Sequence, residues 1–116
     1  MGTFIVAGKQ SDYPVGAMHA INLEGTEVLV ANIGGNIYAL NNRCPHMGGK
    51  LSKGLLSGQI VTCPLHGSQF DITTGENVRW LKGTGILSSL GKAVKHPANA
   101  TKYNVKVDGQ QVLIEV

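Results

Sequence analysis

The sequence predicts an all-β domain, a sandwich or barrel of six or seven short antiparallel strands. Period-two alternation near the C-terminus is the first sign. Tyr103, Val105 and Val107 alternate with Lys102, Asn104, Lys106 and Asp108, the pattern of a half-buried strand. Glycine is the second. Sixteen Gly stand against six aromatic residues, which implies many tight turns. The third is length: 116 residues suit one domain with one buried core.

The strands follow in order. Phe4-Ile5-Val6-Ala7 opens the sheet, and Ala20-Ile21-Asn22-Leu23 runs into a Glu24-Gly25 turn. Val28-Leu29-Val30-Ala31 is a continuous apolar strand. Gly34-Gly35 supplies the hairpin into Ile37-Tyr38-Ala39-Leu40. Gln59-Ile60-Val61-Thr62 is a short strand that leads directly into Cys63. After Asp108-Gly109 turns the chain, Val112, Ile114 and Val116 alternate again. One segment departs from the pattern. Ile86, Leu87, Leu90 and Val94 recur at helical spacing, with Thr84 placed to cap and Lys92 and Lys95 near the end. Gly85 and Gly91 weaken that helix, so 84–95 is read as a short helix or an irregular excursion.

Composition excludes several functions. Apolar residues make up 42% and charged residues 15%, which suits a globular chain rather than a disordered one. The formal charge is +3 with the basic residues scattered, so no nucleic-acid or membrane-surface patch is expected. No apolar run approaches the roughly 18 residues of a membrane span. Met1 to Val6 has no signal-peptide character, and Val6 stands where myristoylation needs Ser or Thr. A cytoplasmic address is expected, which leaves the sequon Asn99-Ala100-Thr101 idle.

The chemistry lies in two short stretches. Cys44-Pro45-His46 and Cys63-Pro64-Leu65-His66 contain both cysteines and two of the four histidines, with sixteen residues between His46 and Cys63. Taken singly, Cys44 reads as a small buried hydrophobe, and His46 and His66 as satisfied polar groups. Four such residues at this spacing read as metal ligands. Two sulfurs and two nitrogens suit zinc or an iron–sulfur cluster. Zinc motifs usually pair Cys with Cys and His with His, whereas here each loop mixes the two, which favours a binuclear cluster. Pro45 and Pro64 shape the loops. Gly48 and Gly67 are expected to be required by the backbone path and to offer N–H groups to the site. His19 and His96 belong to no motif and read as surface or packing residues.

The C-x-H…C-x-x-H pattern resembles the Rieske family, and specifically its small ferredoxins. Arg43-Cys44-Pro45-His46-Met47-Gly48-Gly49 and Cys63-Pro64-Leu65-His66-Gly67-Ser68-Gln69-Phe70-Asp71 are similar to the family's two loops. Leu51-Ser52, Gly54 and the stretch from Leu56 to Gly58 match its connecting segment, and the likeness is strongest over residues 36–76. The resemblance implies a single Rieske domain over residues 1–116, an antiparallel β fold with an inserted cluster-binding subdomain at about 42–72. It implies one [2Fe–2S] cluster, with Cys44 and Cys63 on a buried iron and His46 and His66 on an outer one. Gly48, Gly67 and Ser68 would stand around these ligands.

Neutral imidazoles in place of two thiolates make reduction easier, and such centres span about −150 to +300 mV. High-potential members of the family add a disulfide between positions matching Gly49 and Leu65, and Ser and Tyr hydroxyls at positions matching Ser68 and Phe70. This chain has neither the extra cysteines nor the Tyr. The low end of the range is therefore expected.

The resemblance implies an electron carrier between a flavin-dependent reductase and a terminal oxygenase. No nucleophile–base pair, dinucleotide loop or mononuclear iron triad is present, so the chain reads as a carrier rather than an enzyme. Three rivals remain at this stage. They are a small subunit of assimilatory nitrite reductase, a zinc-stabilised binding module without redox chemistry, and a redox sensor. Trp80, Lys82, Lys92 and Lys95 around the 84–95 segment read either as an inserted flap or as a docking surface for an acidic redox partner.

Overall fold

The computed structural model describes residues 3–44, 49–64, 67–79 and 99–116. In chain order the strands are β1 (Phe4–Lys9), β2 (Met18–Leu23), β3 (Thr26–Ile33), β4 (Asn36–Asn41), β5 (Leu55–Ser57), β6 (Ile60–Thr62), β7 (Gln69–Asp71), β8 (Asn77–Arg79), β9 (Lys102–Asp108) and β10 (Gln111–Glu115). Six of them form one sheet in the order β1-β10-β9-β4-β3-β2. The other four form a second sheet in the order β5-β6-β7-β8. Every pairing is antiparallel. The edge strands β1 and β2 approach one another, so the larger sheet curls towards a barrel.

The expected strands are all present, and the predicted turns fall at Glu24–Gly25, Gly34–Gly35 and Gly109. The count of six or seven is too low, because ten strands occur among the described residues. The additional ones, β5, β7 and β8, have three residues each. Three residues give a single alternation, which is too little to rise above background. The segment 84–95 lies outside the described residues, as do Trp80, Lys82, Lys92, Lys95 and His96.

The apolar run in β3 has a clear physical origin. Val28, Leu29, Val30 and Ala31 are all fully buried because β3 is covered on both faces. Val28 and Val30 point into the barrel with Tyr13, Leu23, Ile37, Ala39, Val112 and Ile114. Leu29 and Ala31 point the other way, with Leu40 of β4, into a second core built with the four-stranded sheet. Strands β3 and β4 are thus a wall shared by two cores. At the barrel mouth the buried Tyr13 donates its hydroxyl to the Ala7 carbonyl, and its own carbonyl accepts from Asn32 Nδ2 at 2.7 Å. His19 meets the Tyr13 ring edge-on at 5.9 Å, a packing role as expected.

Leu29→Ala should cost about 2–5 kcal/mol, since the site is enclosed on every side. Val107→Ala, on the exposed side of β9, should stay within about 0.5 kcal/mol of wild type. Urea denaturation of both variants checks this, and equal costs would contradict the shared-wall description.

Candidate metal centre

Both cysteines sit where a strand gives way to a loop, and the two loops close in the same manner. Arg43 and Lys50 face each other across the first, and Thr62 and Gln69 across the second. The Cys44 N–H donates to the Gly49 carbonyl at 2.6 Å, and the Cys63 N–H donates to the Ser68 carbonyl at 2.7 Å. Each loop therefore runs six residues, from the cysteine to the residue five further on. In the second, Gly67 has φ +74° and donates its N–H back to the Cys63 carbonyl at 3.1 Å. That left-handed conformation is strained for any residue with a Cβ, which accounts for the glycine.

The thiols are both buried, Cys44 at 1% and Cys63 at 2% exposure, and both belong to the second core. Leu29, Leu40, Leu51, Val61, Phe70 and Ile72 make up the apolar floor around them. Ser68, five residues after Cys63, is fully buried, and Phe70 is fully buried in the core that holds both cysteines. Two buried sulfurs brought to one apolar core from two loops suit a group that takes soft thiolate ligands and excludes water. The donor chemistry thus fits an iron–sulfur cluster. Pro45, His46, Met47, Gly48, Leu65 and His66 lie outside the described residues. Among the described residues, no three His, Cys, Asp or Glu side chains gather as a metal site. The structure places Cys44, Cys63, Gly67 and Ser68 of the expected set, while His46, His66 and Gly48 fall beyond it.

Gly54, matched only as part of the connecting segment, and Asn42, which no motif marks, set how the loops sit relative to each other. Gly54 ends the 3-10 turn Leu51–Lys53 that follows the first loop. A Cβ there would lie 1.8 Å from the Thr62 carbonyl oxygen, one residue before Cys63, so only glycine lets the backbones approach this closely. Asn42, fully buried two residues before Cys44, uses every polar group it has. Its N–H donates to the Glu27 carbonyl at 3.0 Å, and its carbonyl accepts from Leu51 N–H at 2.8 Å. Its Nδ2 donates to Glu27 Oε1 at 2.9 Å, and its Oδ1 accepts from Ser52 N–H at 2.8 Å. The foot of the first loop is thereby tied to β3 on one side and to the 3-10 turn on the other. An Asn between an apolar strand and a candidate ligand is the one sequence signal that marks this role.

The Asn42 amide holds the Glu27 carboxyl below the usual carboxylate range; burial opposes this, and Lys50 Nζ, 3.4 Å from Oε2, reinforces it. Across the second sheet, burial raises the Asp71 carboxyl. Hydrogen bonds from Thr73, Gln59 and the turn backbone outweigh burial and leave Asp71 below its ordinary value.

The model of the Rieske [2Fe-2S] domain matches residues 3–101 of this chain. The chain belongs to the Rieske [2Fe-2S] domain family. An iron–sulfur cluster comes with that membership. Among Rieske relatives, the ferredoxin component of the naphthalene 1,2-dioxygenase system of Pseudomonas aeruginosa is 32% identical over 107 residues, 90% of this chain and 88% of that protein. Apoptosis-inducing factor 3 of Mus musculus is 42% identical over 103 residues, 89% of this chain but 15% of that protein. A solved structure, the ferredoxin of carbazole 1,9a-dioxygenase from Nocardioides aromaticivorans IC177, superposes with a TM-score of 0.78 at 25% identity. It covers 97% of this Rieske chain and 96% of that one. No helix among the described residues is long and apolar enough to cross a membrane.

Gly54→Ala should reduce bound iron per chain and lower the melting temperature together, since the two loop feet must separate. Gly58→Ala is strained at φ +59° but opens into empty space, so it should cost about 1–2 kcal/mol and retain iron. Iron analysis beside thermal melts distinguishes the two. A second expectation concerns acid. Because the folded Glu27 carboxyl titrates below its ordinary 4.5, its contribution is complete above that value and is lost as pH falls through the lower folded value. Glu27→Gln should therefore lower the urea midpoint at pH 7, with the difference from wild type shrinking below pH 4.5. A difference constant from pH 7 to pH 3 would contradict the Asn42 contact.

Proposed function

We propose that this chain is a one-electron carrier holding a single [2Fe–2S] cluster on Cys44, His46, Cys63 and His66. The observation that carries the reading is the matched pair of six-residue loops, each opening on a cysteine buried in the same apolar core. The cluster supplies reversible one-electron chemistry. The chain's own residues hold the two loops in register and keep water from the thiolate side. Gly48, Gly67 and Ser68 are assigned to the surroundings of these ligands, with the Gly67 N–H committed to the Cys63 carbonyl. Residues 42–72 form the cluster-binding subdomain of one domain, 1–116.

The ferredoxin components of dioxygenase systems among the relatives favour an oxygenase as electron acceptor and a flavin-dependent reductase as donor. Chemistry on the organic substrate then belongs to the oxygenase. Two buried cysteines, both assigned to the cluster and neither in a disulfide, suit a reducing cytoplasm.

EPR of the dithionite-reduced protein, with iron and zinc analysis on the same sample, tests the reading. A rhombic signal with average g below 2 and about two irons per chain is expected. Cys63→Ser should lose both. A silent spectrum with one zinc would overturn electron transfer in favour of a zinc-stabilised module. Phe70 brings no hydroxyl to the buried core, so the midpoint should fall near −150 to 0 mV. A midpoint above about +150 mV would contradict that assignment.

A further inference from the structure

We propose that the cleft between the β2–β3 turn and the foot of the first ligand loop is the docking point for an acidic side chain of the redox partner, with Arg43 receiving its carboxylate. The proposal rests on the carrier reading above and names the chemistry of the partner's face.

The cleft has a volume of about 430 Å³ and is lined by Gly25, Thr26, Glu27, Asn41, Arg43 and Lys50. Arg43 and Lys50 lie directly opposite each other across the antiparallel bridge that closes the loop, so their side chains share one face. Like charges in that position repel. Among the described residues only one of them is compensated. Glu27 Oε2 meets Lys50 Nζ at 3.4 Å, while Oε1 is committed to Asn42. Lys53, exposed at the end of the 3-10 turn, adds a further positive charge near the same carboxylate. Arg43 is exposed, and its guanidinium makes no ion pair among the described residues. Its backbone N–H is fixed by Asn41 Oδ1 at 2.9 Å, so the side chain starts from a set position beside Cys44.

Among the described residues, one carboxylate faces two cations in the cleft, with Lys53 a third close by, which leaves this corner positive. A planar guanidinium takes a carboxylate with two parallel hydrogen bonds, which gives orientation as well as attraction. The position matters for function, because Arg43 directly precedes the first cysteine ligand. A partner carboxylate bound there would bring the acceptor against the loop that carries His46. Charges at such a rim act chiefly by steering encounter, and their effect fades with salt.

The test uses the intact, cluster-loaded protein, reduced by dithionite and freed of excess reductant. Its one-electron oxidation by ferricyanide, giving ferrocyanide in equal amount, is followed by stopped flow from low to high salt. The anionic oxidant stands in for an acidic partner. Arg43→Glu should slow the reaction by about tenfold at roughly 10 mM ionic strength and flatten or invert its salt dependence. Lys53→Glu should act in the same direction, which keeps the test valid if Arg43→Glu loads cluster poorly. Lys106→Glu changes net charge equally but lies some seven strand residues away along β4 and β9, about 20 Å, and should change the rate less than about twofold. Tris(phenanthroline)cobalt(III), a cation, should show the opposite salt dependence. A hexaglutamate peptide should slow oxidation of the wild type and leave Arg43→Glu unaffected. Equal effects of Arg43→Glu, Lys53→Glu and Lys106→Glu, or no effect of the peptide on wild type, would overturn the docking point while an intact EPR signal keeps the carrier reading. A protein without a reducible cluster would overturn both.

Discussion

The centre depends on holding two separate loops at one fixed offset. In the proposed centre neither loop forms the site alone, because each is assigned one cysteine and one histidine. Relative position must therefore be set by contacts between their feet. Gly54 against the Thr62 carbonyl provides the close approach, and the four hydrogen bonds of Asn42 provide direction. Close packing tolerates little slack, so a shift of a few tenths of an ångström at either foot would displace a cysteine from its proposed place. Much of the connecting segment is explained by this requirement rather than by stability in itself.

Beneath the loops, the shared wall of β3 and β4 joins this requirement to the barrel. Leu29, Ala31 and Leu40 are at once sheet residues and the floor under Cys44 and Cys63. Burial on the barrel side by Val28, Val30 and Ala39 fixes the same backbone from behind. A strand packed on both faces cannot slip register without exposing one whole set of side chains. The ligand loops thus inherit the rigidity of the larger sheet.

The barrel strands were legible because alternation over five to eight residues, and turns built on glycine, are local signals. The two cysteine loops were legible because cysteine is rare and the Cys–His spacing is specific; His46 and His66 lie outside the described residues. The short strands β5, β7 and β8 were not, since they are held by pairing with neighbours rather than by their own pattern. Asn42 and Glu27 read as ordinary polar residues, and only three-dimensional contact reveals them as a brace. Gly54 was visible as part of a family likeness, but its reason, the Thr62 carbonyl, is nonlocal. The run Val28 to Ala31 was read as one strand, yet its lack of alternation already carried the two-sided burial.

That division of labour limits how the centre can be moved to another protein. The two loops and β5 to β8 look like a portable cap, but four of the ten buried residues in the core they share come from elsewhere: Leu29, Ala31, Leu40 and Ala100. A transplanted cap would present its thiols over an open apolar surface, wet and free to aggregate. A graft that keeps β3 and β4 as a hairpin beneath the loops, with a residue to replace Ala100, would carry the floor along. The smallest transferable unit is thus a cap with its wall.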